Sequence, residues 1–173
     1  FAKDTTYYNS QWKQTTKAKS SFYRIAEKKN GKWLVEDYYN NGQLQMKGTM
    51  LTRRPDIRDG EFKFYDKKGN LIEKGTYKGD LKHGEYTFYY KNGNKELVEN
   101  WDHGVQHGEI AAYQEDGTIS YKGTYKNGER YGKWIYYDFF GKEDETRIFH
   151  DKISLKPAGI EFAFPNDKWY AIS

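Results

Sequence analysis

Apolar and polar positions alternate in short runs along this chain. Glu61-Phe62-Lys63-Phe64-Tyr65 is the clearest run, and a period of two is the mark of a half-buried strand. Asp66-Lys67-Lys68-Gly69 follows. A type I turn closed by a glycine at positive φ, in a G1 bulge, suits that tetrapeptide. Asn70 to Tyr77 then predicts a return strand, and Lys78-Gly79-Asp80-Leu81-Lys82-His83 reads as a polar connection to the next Gly-Glu. The unit is a β-hairpin, and no long helix is expected.

The unit recurs. Gly60-Glu61, Gly84-Glu85, Gly108-Glu109 and Gly132-Lys133 stand 24 residues apart. The same interval separates Gly69, Gly93, Gly117 and Gly141, and also Tyr77, Trp101, Tyr125 and Phe149. Lys-Gly-Thr-Tyr-Lys occurs at 74–78 and again at 122–126. A looser first copy runs from Gly31-Lys32-Trp33 to Lys47-Gly48-Thr49. The 27 residues from Gly42 to Gly69 imply three inserted residues, expected within Leu51–Arg58. Five hairpins predict about ten short strands. The chain thus divides into a lead or capping segment (1–30), five hairpin repeats (31–150) and a capping hairpin or docking tail (151–173).

Alternation sorts the columns into two faces. Phe62, Tyr86, Ile110 and Trp134, with Phe64, Phe88, Ala112 and Tyr136, are the core candidates. Tyr65, Tyr89, Tyr113 and Tyr137 point the other way. They read either as a structural ladder of rings, worth about 0.5–1.5 kcal/mol per stacked pair, or as an exposed strip that binds a partner.

Composition narrows the class. Aromatics make up 18% of residues against 36% apolar in all, so half the apolar set is rings. That excludes the aliphatic runs of a buried parallel sheet and is unlike a disordered chain. Cysteine is absent, which excludes disulfides, thiolate metal sites and a thiol nucleophile. The net charge of +4 is spread over alternating signs, without the clustered basic face that nucleic acid requires. No apolar run is longer than Trp134-Ile135-Tyr136-Tyr137, far short of the ~20 residues of a membrane helix. The first residue is Phe1, and removal of a signal sequence is one reading of that.

The unit Gly-Glu-(aromatic)-x-(aromatic)-Tyr-x-x-x-Gly-x-(aliphatic)-x-x-Lys-Gly-Thr-Tyr-Lys-x-Gly resembles the MORN repeat. It looks more like the 24-residue variant of bacterial YwqK-type, antitoxin-like proteins than like the general repeat. The resemblance covers about residues 31–150. The third copy departs from it at Glu99-Asn100-Trp101, and the fifth decays after Gly141. The lead, with Tyr7-Tyr8, Trp12, Thr15 and Phe22-Tyr23-Arg24, is similar to the opening of repeat proteins exported by Bacteroidota. These resemblances imply an all-β fold: an elongated, twisted antiparallel sheet of consecutive hairpins that acts as a scaffold or docking surface. They also imply an exported, periplasmic or outer-membrane-associated location, with the cytoplasm as the alternative.

Candidate chemistry is sparse. His83 and His107 share one repeat position, which favours a structural or solvated role. His103 and His107 have the i, i+4 spacing of a helical metal pair, but they fall in a strand connection where that geometry does not apply. No metal or cofactor is expected. Glu61, Glu85 and Glu109 form a carboxylate column. Glycoside hydrolysis needs one unequal acid/base pair in a pocket, and a copied column reads instead as exposed groups pairing with lysines. Arg53, Arg54, Arg58, Lys78, Lys82, Lys126 and Arg130 sit in the connections, either solvated or lining one edge toward anionic lipid or an acidic partner. The tail alternates at Ile160–Pro165 and holds Trp169 and Tyr170, which would cap the open sheet or dock into a partner.

The expectation is a non-enzymatic protein-binding scaffold, a subunit or accessory of a bacterial cell-envelope complex. The contacts would come from Tyr65, Tyr89, Tyr113, Tyr137, Trp169 and Tyr170. An antitoxin or immunity-like protein sequestering one toxin is the alternative. A glycan or anionic-lipid binding module is a third.

Overall fold

The structure, a computed structural model, describes residues 3–53 and 56–150. They form one sheet of twelve antiparallel strands in chain order. The strands are β1 (Asp4–Tyr8), β2 (Phe22–Lys29), β3 (Lys32–Tyr39), β4 (Leu44–Arg53), β5 (Asp56–Tyr65) and β6 (Leu71–Lys78). They continue as β7 (Leu81–Tyr89), β8 (Lys95–Asp102), β9 (Val105–Tyr113), β10 (Ile119–Lys126), β11 (Glu129–Tyr137) and β12 (Glu143–Phe149). The sheet is not closed, and among the described residues no second layer covers either face. The sole helical element described is a 3-10 turn at Lys17–Lys19. Five hairpins account for β3 to β12, as the repeats predict. The lead segment adds β1 and β2 to the same sheet. The tail expectation, including Trp169 and Tyr170, lies outside the described residues.

Two turn types alternate. Within each unit the turn is the expected type I turn with a G1 bulge. Gly69 (φ 90°) donates its N–H to Asp66 O at 3.0 Å, and Gly42, Gly93, Gly117 and Gly141 repeat the arrangement. Between units the turn is tighter than the sequence reading allowed. Lys78 pairs with Leu81, so only Gly79 and Asp80 lie outside the strands. Both have positive φ, as do Asn30-Gly31, His103-Gly104 and Asn127-Gly128. That is the signature of the two-residue I′ hairpin, whose twist matches that of its strands. The supposed polar connection of 78–83 is therefore mostly strand. Alternate residues within it face the core side, and that changes the role of Lys82, and of Arg58 at the same repeat position in β5, below.

The three-residue insertion lengthens one hairpin. β4 and β5 each run ten residues, and their pairing shifts register twice. In each later unit the Gly-Glu glycine sits where the register also shifts. Gly84 (φ 79°) and Gly108 (φ 106°) take up these bulges, which bend a strand and deepen its twist.

The core is a row running across the strands. Ala26, Val35, Gly48, Phe62, Gly75, Tyr86, Glu99, Ile110 and Gly123 each pair with the next, and Trp134 continues the row against Gly123. Large rings alternate with glycines for a steric reason. A Cβ on Gly48, Gly75 or Gly123 would lie 2.3–2.6 Å from the ring of Phe62, Tyr86 or Trp134. Each ring therefore lies flat across the neighbouring strand and covers its backbone. Phe62, Tyr86 and Trp134 are at most 1% exposed in a sheet one layer thick. The candidates Phe62, Tyr86, Ile110 and Trp134 are thus core, and Phe64 and Phe88 pack half-buried against them.

Beside the N-terminal end of this row, the neighbouring row on the same face is ionic. Arg24 forms a bidentate pair with Asp37 (2.6 and 2.8 Å) and reaches Asp56 at 2.6 Å. Burial alone would lower the Arg24 pKa, but the two carboxylates outweigh it and push it up. The pairing ties β2 and β3 to the start of β5.

Candidate functional site

The two faces of the sheet differ in how far they satisfy themselves. On the core face, cations cover rings. Arg58 lies 3.8 Å from the Tyr77 ring centroid, and Arg130 lies 4.6 Å from that of Trp134. Lys82 lies 4.2 Å from the Tyr86 ring and 4.7 Å from that of Trp101. Arg53 sits over Trp33 at 3.9 Å, while Lys126, on the other face with Lys122 and Thr124, lies over Tyr131 at 4.5 Å. Arg58 and Arg53 also pair with Asp80 and Asp4. The connection cations are neither simply solvated nor a free basic edge. Most lie over rings of this chain, a contact worth about 0.5–1 kcal/mol at exposed sites. Arg54 lies outside the described residues.

The opposite face carries the tyrosine column. Tyr65, Tyr89, Tyr113 and Tyr137 are half-buried there. The row of tyrosines stacks only at its N-terminal continuation, where Tyr23 lies 5.0 Å from Tyr38 and 6.2 Å from Tyr7. None of the four column tyrosines enters a ring pair among the described residues. Two of them, Tyr65 and Tyr113, have their carbonyls held from the preceding unit instead. Tyr39 Oη donates to Tyr65 O at 3.0 Å, and Tyr90 Oη to Tyr113 O at 2.8 Å.

Between β7 and β11 this face holds a shallow cavity of about 480 Å3. Val98, Ala111 and Ile135 form its apolar floor, with Tyr113 at one end. Glu85 and Glu109, from the carboxylate column, and Lys95, Lys122 and Lys133 surround it. The hollow has a local cause. Lys63, Thr87, Ala111 and Ile135 share one repeat position, and alanine is the smallest of them. Lys122 also reaches over the Tyr137 ring, 5.6 Å from its centroid, and a hydrogen bond with Tyr137 raises the lysine pKa. The cavity can accept apolar groups on its floor and charges of either sign at its rim.

Of the tyrosine column named as a partner-binding strip, Tyr113 lines this cavity, Tyr65 and Tyr89 lie outside its lining, and Tyr137 touches its rim through Lys122; Glu85 and Glu109 of the carboxylate column also line it. The sequence reading missed Lys95, Lys122, Lys133 and Ala111. The signal for Ala111 was present as the small member of its column. Glu61, Glu85 and Glu109 are exposed as expected, with Glu61 paired to Lys63 at 2.9 Å. His103 and His107 fall in strand and turn, where the helical i, i+4 pairing was not expected to apply. His103 faces His83, with ring centroids 4.8 Å apart.

Residues 34–51, 58–78, 82–103 and 106–127 match the family model described as MORN repeat variant. These segments coincide with the first four hairpin units; the fifth, β11–β12, lies beyond them. No curated protein matches the chain. Repeats of this kind are generally associated with protein or membrane binding. No helix among the described residues is long and apolar enough to cross a membrane.

Proposed function

We propose that this chain, a carrier of four MORN repeat variants, is a non-enzymatic protein-binding scaffold and serves as a subunit or accessory of a bacterial cell-envelope complex. The observation that carries the reading is the contrast between faces. The core face engages its cations and rings with each other. The tyrosine face leaves an uncovered cavity with an apolar floor and a rim of mixed charge. Tyrosine is a favoured interface anchor because it brings large area at low entropic cost. Copied glutamates on an open sheet suit pairing with a partner's cations better than acid/base chemistry, which needs two carboxyls in unequal surroundings. The envelope location rests on the likeness of the lead segment to exported repeat proteins.

Site-specific photocrosslinking tests this reading. A photoreactive residue replaces Tyr113 in one variant and Leu34, exposed in the first hairpin, in another. Each full-length variant is expressed in its native cells. A large envelope protein crosslinked through position 113 and not through 34 is the expected result. Crosslinking to one small protein encoded nearby would replace the scaffold reading with the antitoxin one. No protein adduct, together with tryptophan fluorescence that responds to glycans or anionic liposomes, would point to the glycan or lipid module.

A further inference from the structure

The third I′ turn differs from its siblings in side-chain chemistry. Its first residue is His103 at φ 46°, where the other units place Asn30, Gly79 and Asn127. Histidine, like asparagine and aspartate, enters left-handed backbone more readily than other side chains, so the turn keeps its shape and what changes is the imidazole it carries. His83 lies on β7, directly across from the end of β8. Its Nδ1 is 3.3 Å from Asp102 Oδ1, and Asp102 Oδ1 is 2.6 Å from His103 Nδ1. One ligand atom from each of the three residues lies within 4.8 Å of the others. His83 Nδ1 is itself buried and makes no hydrogen bond, an unusual state for a polar atom. In no other unit do these three positions combine two imidazoles and a carboxylate. The equivalent residues around the next turn are His107, Lys126 and Asn127.

We propose that His83, Asp102 and His103 bind one divalent transition-metal ion of the zinc class. Imidazole nitrogen and carboxylate oxygen are the donors such ions favour, with bonds near 2.0–2.2 Å. Tetrahedral bonds of that length put neighbouring donors about 3.3 Å apart, the separation of His83 Nδ1 and Asp102 Oδ1. The ion would take the place of the proton held between His103 and Asp102, and those two groups would move apart by less than one bond length. It would also give His83 Nδ1, which makes no hydrogen bond with Asp102 at 3.3 Å, a direct bond. Both Asp102 and His103 are exposed, so ion entry needs no opening of the sheet. A fourth position stays open for water or for a donor from another molecule. His107 stands outside this group of three, and its Nδ1 accepts from the Asn127 N–H at 3.4 Å.

Calorimetric titration with zinc chloride tests the site, using the full chain without a histidine tag and freed of metal by a chelator. Cobalt(II) absorption supplies a second readout, because tetrahedral coordination has its own spectrum. One ion per chain is expected. Binding and the cobalt spectrum should be lost in His103→Asn, which keeps the turn because Asn127 serves the equivalent turn. They should be lost in His83→Gln and retained in His107→Gln. Circular dichroism of each variant, unchanged from the parent, shows that the loss is not unfolding. Absence of zinc binding in the parent chain would overturn the proposal. So would binding that survives both His103→Asn and His83→Gln, since the ion would then sit elsewhere.

Discussion

Two junctions between hairpin units on the core face solve one packing problem in different ways. Where the second unit meets the third, Gly75 faces Tyr86, the ring covers the glycine, and Lys82 lies over the ring. Where the third meets the fourth, the equivalent places hold Glu99, Ile110 and Gln106. The glycine has gained a side chain, the ring has shrunk to an aliphatic group, and the cation has become neutral. Glu99 fills the space that the ring leaves and is only 6% exposed. Its oxygens accept from Trp101 Nε1 at 2.8 Å and Gln106 Nε2 at 2.9 Å, with Lys82 Nζ at 3.7 Å. A buried carboxylate is tolerable because its lone pairs are occupied. The repeat columns are therefore not independent. Glycine, ring and cation form one set, and the three members change together.

The largest effect should follow from removing the ring at the regular junction. Tyr86→Ala would leave a cavity over Gly75 and strip the cover from Lys82, with a loss of about 3–5 kcal/mol in urea unfolding. Gly75→Ala should cost less, about 1–3 kcal/mol, by forcing the ring aside. The two changes are not additive, because the alanine methyl has nothing to strike once the ring is gone. If Gly75→Ala costs the same with or without Tyr86, the glycine is kept for a reason other than the ring.

The irregular junction gives a smaller and chemically distinct loss. Glu99→Ala clashes with nothing, but it leaves the Trp101 and Gln106 donors without their acceptor, at a cost of about 1 kcal/mol per group left dry. Restoring one member of the regular set should not help. Ile110→Phe beside Glu99 overfills the site and should destabilise. The triple change Glu99→Gly, Ile110→Phe and Gln106→Lys rebuilds the regular junction and should lie within about 1 kcal/mol of the parent, as volume-conserving repacking does. A triple variant as damaged as Ile110→Phe alone would show that the junction depends on something beyond these three positions.

The period and the turn glycines made the hairpins legible, since both follow from local chemistry: alternation, and the positive φ that Gly69 and its equivalents must adopt. The core column at 62, 86, 110 and 134 was legible for the same reason. What lay beyond reach was pairing across strands. The columns of Tyr77 and Trp101 and of Arg58 and Lys82 were each visible, but their contact depends on an I′ turn short enough to make Lys78–His83 strand. Gly79-Asp80 carried that signal and was read as a longer loop. Glu99 stood out as a departure, yet nothing local says that Ile110 and Gln106 compensate for it. The cavity beside Tyr113 needed three strands in register before the small side chain of Ala111 meant anything.

The smallest expected effect concerns Glu73, which holds a core-face position where the other units carry Met46, Leu97 and Tyr121. It lies between Phe64 and Phe88 on the flanking strands. Burial raises its carboxyl pKa above the ordinary glutamate value of 4.5, and the pull of Lys82 offsets this only in part. The folded chain therefore holds this proton more tightly than the unfolded chain does. Stability contributed by the group is then present below the ordinary value and falls as pH rises through the interval up to the raised one. Above that interval the ionised carboxylate is a net cost. Glu73→Gln removes the titration with little change of shape, so it should raise the thermal midpoint slightly at pH 7 and leave it unchanged near pH 4. A midpoint that falls at pH 7 would mean that the pairing of Glu73 with Lys82 outweighs burial. Lys82 would then be held over the rings of Tyr86 and Trp101 by two carboxylates, Glu73 and Glu99, and the regular and irregular junctions would be electrostatically one site.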